Sequence, residues 1–549
     1  MVVADPVLRV RSLGRVRYRD GHALQRALFH HSHEEYLLLL EHNHVYTLGV
    51  RARPEHVLAD PAEHGAELVR ADRGGDVTYH GPGQLVGYPI LNVALKADAI
   101  PAYVHRVEEL VLATLRELGL TDVGRMAEYP GVWVEPDGPR PRKICAVGVR
   151  VSRGRTMHGF ALNVEPDLAM FDHIVPCGIE EYPVTSLAAE GVASTVAAVA
   201  EIVARLAPRL LAEDGGRPYA LEAQVATPPE AAGGATGGRA LERRLDAAGV
   251  DRSQAVALSA RKPEWLRVEA RMGEDYLGLR RTMRRLDLVT VCEEAGCPNI
   301  YECWADGTAT FMINGERCTR ACGFCLVDTS HPLPLDPSEP RRVAEAAVSM
   351  HLGHAVVTAV ARDDLPDGGA GAFAETIAAI RAESPGTAVE VLIPDVKGDE
   401  RALQSIFDAR PDVLNHNLET VLRLQRAVRP SASYARSLAV LGRAKAAGLT
   451  TKSGIILGMG EEEHEVLAAL ADLAAVGVDI VTIGQYLRPS AAHLPVARFW
   501  TPEEFARLAA AAREMGFAHV EASPLTRSSY HARQAAEAGA AALSAAASA

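Results

Sequence analysis

The chain has 549 residues, too many for one ordinary hydrophobic core, so we expect two or three domains, with two the better fit. Hydrophobic residues make up 48% and charged residues 23%, which is typical of a soluble globular protein, and no long uncharged apolar run offers a membrane span. The formal net charge of −13 argues against nucleic acid as a partner, because phosphate binding requires a basic surface. Charged residues near Met1 stand where a signal peptide has its apolar core, so we expect a cytoplasmic protein.

The first half mixes strand and helix patterns without regular alternation, which predicts an α+β domain. Apolar runs predict strands at residues 36–40, 45–48, 143–151 and 156–164, the last two as a hairpin. Apolar residues recur at helical spacing from Val104 to Leu118, and Gly119 is placed to end that helix.

A change of composition predicts the domain boundary. From about Gly215 to Gly249, Ala, Gly, Pro and Glu dominate and the periodic apolar pattern is lost. We therefore expect a flexible linker over 215–258, between a domain of residues 1–214 and a domain of residues 259–549.

The second half alternates regularly between strand and helix patterns. Predicted strands are residues 310–313, 355–360, 388–393, 413–418, 453–457 and 480–486. Repeated strand–helix units build a parallel sheet, and six of them predict an α/β domain shaped as a partial (β/α)6 barrel. In such barrels the loops at the carboxyl ends of the strands carry the chemistry.

Six of the eight cysteines form two groups of three: Cys292, Cys297 and Cys303, then Cys318, Cys322 and Cys325. A four-iron cluster normally takes four thiolates, so each group leaves one iron open to another ligand. Disulfides suit small secreted domains, and zinc sites usually show paired Cys-x2-Cys units. The spacing therefore predicts two iron–sulfur (4Fe–4S) clusters.

The second group, Cys318-x3-Cys322-x2-Cys325, resembles the motif of radical S-adenosylmethionine enzymes. The resemblance implies that these thiolates hold the cluster that binds S-adenosylmethionine.

Four further positions are candidates for contact with that cofactor. Gly454 and Gly458 lie in a segment similar to the one on which this superfamily rests the adenosine, and Asn417 and Glu419 project from a strand end. The chain departs from the family where Ala359 and Ala361 replace an expected serine and an expected polar residue.

Within that superfamily, residues 261–533 resemble lipoyl synthase through the first cysteine group and the sequence from Arg527 to Ala532. The resemblance implies that Cys292, Cys297, Cys303 and Ser529 hold an auxiliary cluster. It also implies that a 5′-deoxyadenosyl radical removes hydrogen from C6 and C8 of an octanoyl chain, and that the auxiliary cluster donates both sulfurs. A serine oxygen is a harder and poorer donor to iron than a thiolate, which suits a cluster that must be broken. Another sulfur-inserting radical enzyme is the rival interpretation.

The first half carries two more cysteines. Cys177 lies between proline and glycine, where a loop can present the thiol, and Lys143 lies in an apolar strand, where burial would lower its pKa. A cysteine nucleophile with a lysine base suits acyl transfer through a thioester. Cys145 shares a strand face with Lys143 and is a rival nucleophile, but we prefer Cys177 because of its presentation.

The segment from Arg73 to Ile90 then resembles the signature of lipoyl(octanoyl) transferases, which are relatives of the biotin and lipoate protein ligases, and the resemblance runs over about residues 7–211. It implies that Cys177 carries the acyl thioester and that Lys143 activates it. The implied acyl site consists of Arg73, Gly74, Gly75, Asp76, Val77, Thr78, Tyr79, His80, Ala146, Val147, Gly148, Gly159, Phe160 and Ala161.

The two halves thus resemble consecutive enzymes of lipoate biosynthesis. The implied partners are octanoyl-acyl carrier protein, the lipoyl domains of 2-oxoacid dehydrogenase E2 subunits, the glycine cleavage H protein, and an electron donor such as ferredoxin or flavodoxin. Two alternatives for the first half stay open: an ATP-dependent lipoate ligase, and a docking module without catalysis.

Overall fold

The computed structural model describes residues 6–94, 98–213, 216–227, 238–251, 253, 255–267, 281, 283–286, 288–290 and 299–548. The chain divides into two compact units, the first ending at Ala226 and the second beginning at Thr227. The prediction of two domains is confirmed. None of the described helices combines the length and the apolar character needed to cross a membrane.

The first unit is an α+β domain, as predicted. Its strands are β1 (Val7–Val16), β2 (Glu35–His42), β3 (Val45–Leu48), β4 (Glu67–Arg70), β5 (Val77–His80), β6 (Gln84–Ile90), β7 (Val123–Gly124), β8 (Gly131–Val134), β9 (Arg142–Ser152), β10 (Arg155–Asn163) and β11 (Ala220–Val225). Its helices are α1 (Tyr18–His31), α2 (Ala99–Glu117) and α3 (Val196–Leu210). One sheet has the order β11-β1-β2-β6-β10-β9-β8-β7, and a smaller sheet has the order β4-β3-β5.

The main core of this unit forms where α2 and α3 cover the larger sheet. Val107, Val111 and Leu115 of α2 recur four residues apart, and they are fully buried together with Val199 and Val203 of α3. The predicted hairpin is β9–β10, paired antiparallel from Arg155 opposite Ser152 to Leu162 opposite Cys145.

Two parts of the predicted linker are regular structure. Residues 220–225 form β11, which pairs with β1 in parallel and closes the first sheet. Residues 238–247 form a helix of the second unit, and Val256 pairs with Val496 there. The sequence-based linker boundaries are therefore too wide, because β11 is a largely exposed edge strand and the helix is only ten residues long. The part of the linker at residues 228–237 lies outside the described residues.

The second unit is built around one sheet of seven parallel strands with one antiparallel strand at its start. Its strands are β12 (Val289–Thr290), β13 (Thr308–Ile313), β14 (His354–Ala359), β15 (Ala388–Leu392), β16 (Val413–Asn415), β17 (Thr451–Leu457), β18 (Ile480–Gln485) and β19 (His519–Ala522). Its helices are α4 (Gly238–Ala247), α5 (Ile300–Ala305), α6 (Glu339–Ser349), α7 (Ala370–Glu383), α8 (Glu400–Asp408), α9 (Gln425–Val428), α10 (Tyr434–Ala446), α11 (Glu463–Ala475), α12 (Pro502–Glu514) and α13 (Ala532–Ser548).

The strands stand in the sheet in chain order from β12 to β19, as a partial barrel requires. The six predicted strands are present, and β19 is a seventh parallel strand that the sequence did not predict. The cysteine loop at residues 318–325 follows β13, at the carboxyl edge of the sheet. The fold therefore places this loop where barrel enzymes carry their chemistry.

Candidate active sites

A cavity of about 290 Å³ in the first unit brings most of the predicted acyl-site residues together. Its lining includes Arg73, Gly74, Gly75, Asp76, Thr78, His80, Lys143, Ala146, Val147, Gly148, Gly159, Phe160, Ala161 and Cys177. These residues come from the loop before β5, from β5 itself, from β9 and β10, and from the turn that carries Cys177. Residues distant in sequence thus share one pocket.

Val77 and Tyr79 do not line this cavity. Successive side chains of a strand point to opposite faces, so the alternation that turns Thr78 inward turns these two away. Val77 and Tyr79 pack instead in a separate buried cluster with Tyr46 and Phe171. The side chains of Val77 and Tyr79 thus face away from the cavity, and their place in the acyl site stays a prediction.

Two glycines allow the cavity walls to approach one another. A Cβ on Gly148 would lie 3.1 Å from the Gly74 carbonyl oxygen, and the Gly74 N–H donates to the Val149 carbonyl at 3.0 Å. A Cβ on Gly159 would lie 2.2 Å from the Gly87 carbonyl oxygen. Side chains at these positions would push the loop before β5 and the strand β6 away from the hairpin.

Cys177 stands in a tight 3₁₀ turn of Pro176–Gly178 with a φ of 58°. This left-handed conformation is strained for a residue with a side chain, so the neighbouring structure must hold it. The Val175 N–H donates to the His56 carbonyl at 2.8 Å. The His56 ring Nδ1 in turn lies 2.8 Å from Asp76 Oδ2, which occupies the space that a Cβ on Gly178 would enter. The turn presents a half-buried thiol at the cavity.

Lys143 lies on β9 with 6% of its surface exposed, and its Nζ is 5.1 Å from the centre of the Trp133 ring. The segment at residues 183–185 fixes the main chain of Lys143, because the Lys143 N–H donates to the Pro183 carbonyl and the Lys143 carbonyl accepts from the Thr185 N–H, each at 2.9 Å. Cys145 is 1% exposed, and burial raises the pKa of its thiol far above the ordinary value. Such a thiol does not ionise readily, so Cys177 stays the candidate nucleophile.

Two charged or titratable groups of the cavity are already hydrogen-bonded within the protein. Arg73 is 8% exposed, and its guanidinium donates to Thr47 Oγ1 at 2.8 Å and to Thr47 O at 2.6 Å. His80 Nδ1 lies 2.8 Å from Gln84 Oε1, and burial lowers the pKa of His80 well below its usual value. Arg73 therefore supplies a fixed positive charge, and His80 is a neutral wall residue near pH 7.

A group that sequence reasoning missed lies beside this cavity. Asp72 Oδ1 is 2.7 Å from His158 Nε2 and 3.2 Å from His22 Nε2, while its other oxygen pairs with Arg150. His158 lines the cavity and is 2% exposed. These residues are far apart in sequence and have no common spacing, so no pattern joins them. Their hydrogen bonds hold the pKa of the Asp72 carboxyl well below its usual range.

In the second unit, Cys318, Cys322 and Cys325 are half-buried and not in disulfides. Cys318 Sγ accepts from the backbone N–H of Arg320 at 3.4 Å and from that of Ala361 at 3.3 Å. Such N–H donors are typical around thiolates that hold iron–sulfur clusters. Burial raises the pKa of Cys322 to about 11, so a metal must displace its proton on binding. The thiols fit a three-cysteine cluster site.

Ion pairs fix the cysteine loop on the sheet. Arg320 is 7% exposed and donates to both carboxylate oxygens of Asp363 at 2.8 Å. It also pairs at 2.6 Å with the fully buried Asp395. At the other end of the loop, His493 Nε2 lies 2.9 Å from the Cys325 carbonyl oxygen. The thiols are thereby oriented before any metal binds.

Among the cofactor candidates, Asn417 and Glu419 stand out because Asn417 Oδ1 and Glu419 Oε2 are buried and have no hydrogen-bond partner among the described residues. Buried acceptors of this kind fit a bound molecule that brings donors, such as an amino or hydroxyl group. Gly454 lies beside them, since a Cβ there would be 2.8 Å from Asn417 Oδ1. Gly458 serves close packing instead, because a Cβ there would meet Gln485 Nε2 at 2.2 Å.

The two alanines that depart from the family pattern both lie near this site. Ala359 ends β14, and Ala361 contributes through its main chain: its N–H reaches Cys318 Sγ, and its carbonyl accepts from the Thr319 hydroxyl at 2.9 Å. The contact of Ala361 with the cysteine loop therefore does not depend on its side chain.

The predicted auxiliary site is described in part. Cys303 is on α5 and 8% exposed, and Ser529 lies half-buried in the segment after β19. The Asn299 side-chain amide donates to the Leu525 carbonyl at 2.8 Å and joins the two segments. Cys292 and Cys297 lie outside the described residues.

Family models match residues in both units of the chain. The model "Lipoyl protein ligase A/B catalytic domain" matches residues 17–206, "Radical SAM superfamily" matches residues 312–474, and "N-terminal domain of lipoyl synthase of Radical_SAM family" matches residues 245–297. The lipoyl synthase of Rubrobacter xylanophilus is 58% identical over 275 residues, which cover 50% of this chain and 86% of that protein. The chain belongs to the lipoyl synthase family.

Other lipoyl synthases match the same half of the chain. The lipoyl synthase of Mycobacterium avium is 57% identical over 282 residues, which cover 51% of this chain and 92% of that protein. Residues 17–206, which match the model of the lipoyl protein ligase A/B catalytic domain, lie in the first unit, and the matches to the radical SAM and lipoyl synthase models lie in the second. A bipartite lipoate protein ligase from Thermoplasma acidophilum, solved with its E2 lipoyl domain, is 19% identical, with a TM-score of 0.34 over 40% of this chain and 88% of that one.

Proposed function

We propose that the first unit transfers an octanoyl group from acyl carrier protein to a lysine of a lipoyl domain through a thioester on Cys177. The observation that carries this proposal is the single cavity that holds Cys177, Lys143 and the acyl-site glycines. The cavity volume suits a short acyl chain, and the apolar side chains of Val147 and Phe160 line it.

In the proposed first step, the Cys177 thiolate attacks the carbonyl carbon of the incoming thioester. A new carbon–sulfur bond forms, the old one breaks, and the carrier thiol leaves with a proton from Lys143. In the second step, the amine of the acceptor lysine attacks the acyl-Cys177 carbonyl, Lys143 takes its proton, and the Cys177 thiolate leaves. The energy of the first thioester is retained in the second, so no ATP is needed.

We propose that the second unit then inserts two sulfurs at C6 and C8 of the bound octanoyl chain. When bound, S-adenosylmethionine with two 4Fe–4S clusters supplies the radical and the sulfur for this reaction. Cys318, Cys322 and Cys325 would hold one cluster. The auxiliary cluster would take Cys292, Cys297, Cys303 and Ser529. Asn417 and Glu419 would orient the cofactor through their buried oxygens.

The partners follow from this pair of reactions. We propose octanoyl-acyl carrier protein as donor, with lipoyl domains of 2-oxoacid dehydrogenase E2 subunits and the glycine cleavage H protein as acceptors. An electron donor such as ferredoxin or flavodoxin would reduce the first cluster. Reduced thiols at both sites suit the cytoplasm.

Two cysteine variants test the transfer reaction. The parent and Cys145→Ala should each gain one octanoyl adduct from octanoyl-acyl carrier protein, seen by intact-mass spectrometry, and should pass it to a lipoyl domain without ATP. Cys177→Ala should gain none and should transfer none. Transfer by Cys177→Ala, or a requirement for ATP, would favour the lipoate ligase alternative. Adduct-free parent protein that still binds octanoylated domains would favour a docking module.

A further inference from the structure

A stripe of three polar side chains runs along the short helix that carries Cys303. Asn299, Glu302 and Asp306 are spaced three and four residues apart, so they lie on one face of α5 and its caps. Cys303 is the neighbour of Glu302 in this helix and is buried. The three polar side chains and the Cys303 thiol are therefore carried by the same short helix and its caps.

Each member of the stripe contacts the segment that carries Ser529. Asn299 donates to the Leu525 carbonyl at 2.8 Å, and Asp306 pairs with Arg533 at 2.9 Å. Glu302 makes the central contacts, as its Oε2 accepts from the Tyr530 hydroxyl at 3.1 Å and its Oε1 lies 3.4 Å from His531 Nε2.

Tyr530 and His531 directly follow Ser529, and their geometry ties them to this contact. Their rings stack with centroids 3.8 Å apart, and His531 has a φ of 51°. Such a backbone conformation is strained and persists only where neighbouring contacts hold it. His531 Nδ1 lies 3.0 Å from Glu521 at the end of β19, which fixes the other side of the ring.

We propose that Glu302, acting through Tyr530, is a positioning residue that holds the Ser529 segment against the helix of Cys303 and so sets how firmly serine stays on the auxiliary cluster. This inference rests on the proposed auxiliary site. The Glu302 side chain is 61% exposed, so its contacts are of the modest surface kind. Weak contacts of this kind suit a serine ligand that must leave when the cluster gives up sulfur.

The experiment uses the full chain with Cys318, Cys322 and Cys325 changed to alanine, so that only the auxiliary cluster can form. Protein reconstituted anaerobically with iron and sulfide is challenged with an iron chelator, and the loss of cluster absorbance is followed. We expect Glu302→Ala and Tyr530→Phe to lose the cluster about threefold to tenfold faster than the parent, as expected for losing hydrogen bonds to a charged group. Glu302→Gln keeps an acceptor for Tyr530 and should stay near the parent rate.

Glu537→Ala is the matched control, because Glu537 also pairs with Arg533 but contacts the stripe only through it. It should behave as the parent. Mössbauer spectra of iron-57 protein should show the signal of one distinct iron site changing in Glu302→Ala and in Tyr530→Phe but not in Glu537→Ala, and thermal unfolding of the metal-free proteins should be equal. Equal rates of cluster loss for the parent, Glu302→Ala and Tyr530→Phe would overturn this inference but not the proposed auxiliary site. A parent that forms no four-iron cluster would overturn the auxiliary site and the inference with it.

Discussion

The candidate sites of the two units differ in how far their polar groups are already paired. In the first unit a single thiol lies at a cavity where Arg73 and His80 are hydrogen-bonded within the protein. In the second unit three thiols lie near side-chain oxygens of Asn417 and Glu419 that have no hydrogen-bond partner among the described residues. Arg73 and His80 of the first site are thus paired as folded, and two residues of that site, Cys177 and His158, have left-handed backbone. The second site is oriented by ion pairs but left to be completed by what it binds. The proposed acyl transfer needs only protein groups, whereas radical chemistry needs a cofactor, which agrees with this difference between the sites.

The largest expected effect is a difference in how the two sites respond to ligand. With reconstituted clusters and S-adenosylmethionine at about 100 times its Kd, amide exchange at residues 318–325 and 415–420 should slow by about a hundredfold if local opening releases the ligand. Residues 73–80 should exchange at an unchanged rate. Hydrogen–deuterium exchange with mass spectrometry measures both in one sample. If amide exchange at residues 318–325 and 415–420 slowed as much in Cys322→Ala as in the parent, the proposed difference between the two sites would be wrong.

A second prediction sharpens the role of the ion pairs that orient the cysteine loop. Arg320→Gln leaves the buried carboxylate of Asp395 without its closest cation, and we expect a loss of about 3 kcal/mol in the free energy of unfolding of the second unit. Denaturant unfolding measures the loss. Arg317→Gln is the control in the same loop, because the Arg317–Asp328 pair is exposed and should contribute less than about 1 kcal/mol. Equal losses would show that burial of the pair does not matter.

A third prediction concerns the pH dependence of the stability of the first unit. His42 is fully buried, its Nδ1 lies 2.8 Å from the Val16 carbonyl and its Nε2 lies 2.7 Å from the Tyr88 hydroxyl, and burial lowers the pKa of His42 from 6.5 to about 4. Between these values the unfolded chain binds a proton that the folded chain does not. The stability of the first unit should therefore rise with pH from 4 to 6.5, with His42 contributing on the order of 3 kcal/mol.

Unfolding followed at a series of pH values, with Glu34→Gln as an exposed control, measures this slope. His42→Gln should flatten it in part, since His80 remains and its pKa is lowered too. A slope that His42→Gln leaves intact would assign the pH dependence to other groups.

The sequence predicted the second unit in most of its detail because buried parallel strands are apolar runs with helices between them. The exception is β19, whose four residues include His519 and Glu521 and so carry no apolar run. In the first unit, the hairpin and α2 follow from periodicity alone. The acyl-site motif names a continuous segment and cannot tell the inward from the outward side chains of a strand, so it did not indicate that Val77 and Tyr79 face away from the cavity.

What the sequence could not give is contact between distant residues. His22, Asp72 and His158 meet only because the sheet brings α1, the loop before β5 and β10 together. The contacts of Asn299, Glu302 and Asp306 likewise depend on the path of the segment after β19, which no sequence pattern predicts. A motif predicts which residue types are needed, but only the fold shows which partners hold them.

The strand β11 has a practical consequence for dissecting this fused chain. A protein truncated at the sequence-predicted boundary after residue 214 would lose Ala220–Val225 and leave the outer edge of β1 uncovered, and a bare strand edge is a template for aggregation. It would also lose Glu222, which accepts from the buried guanidinium of Arg11 at 2.7 Å. An isolated amino-terminal fragment should therefore extend at least to Ala226 to remain monodisperse.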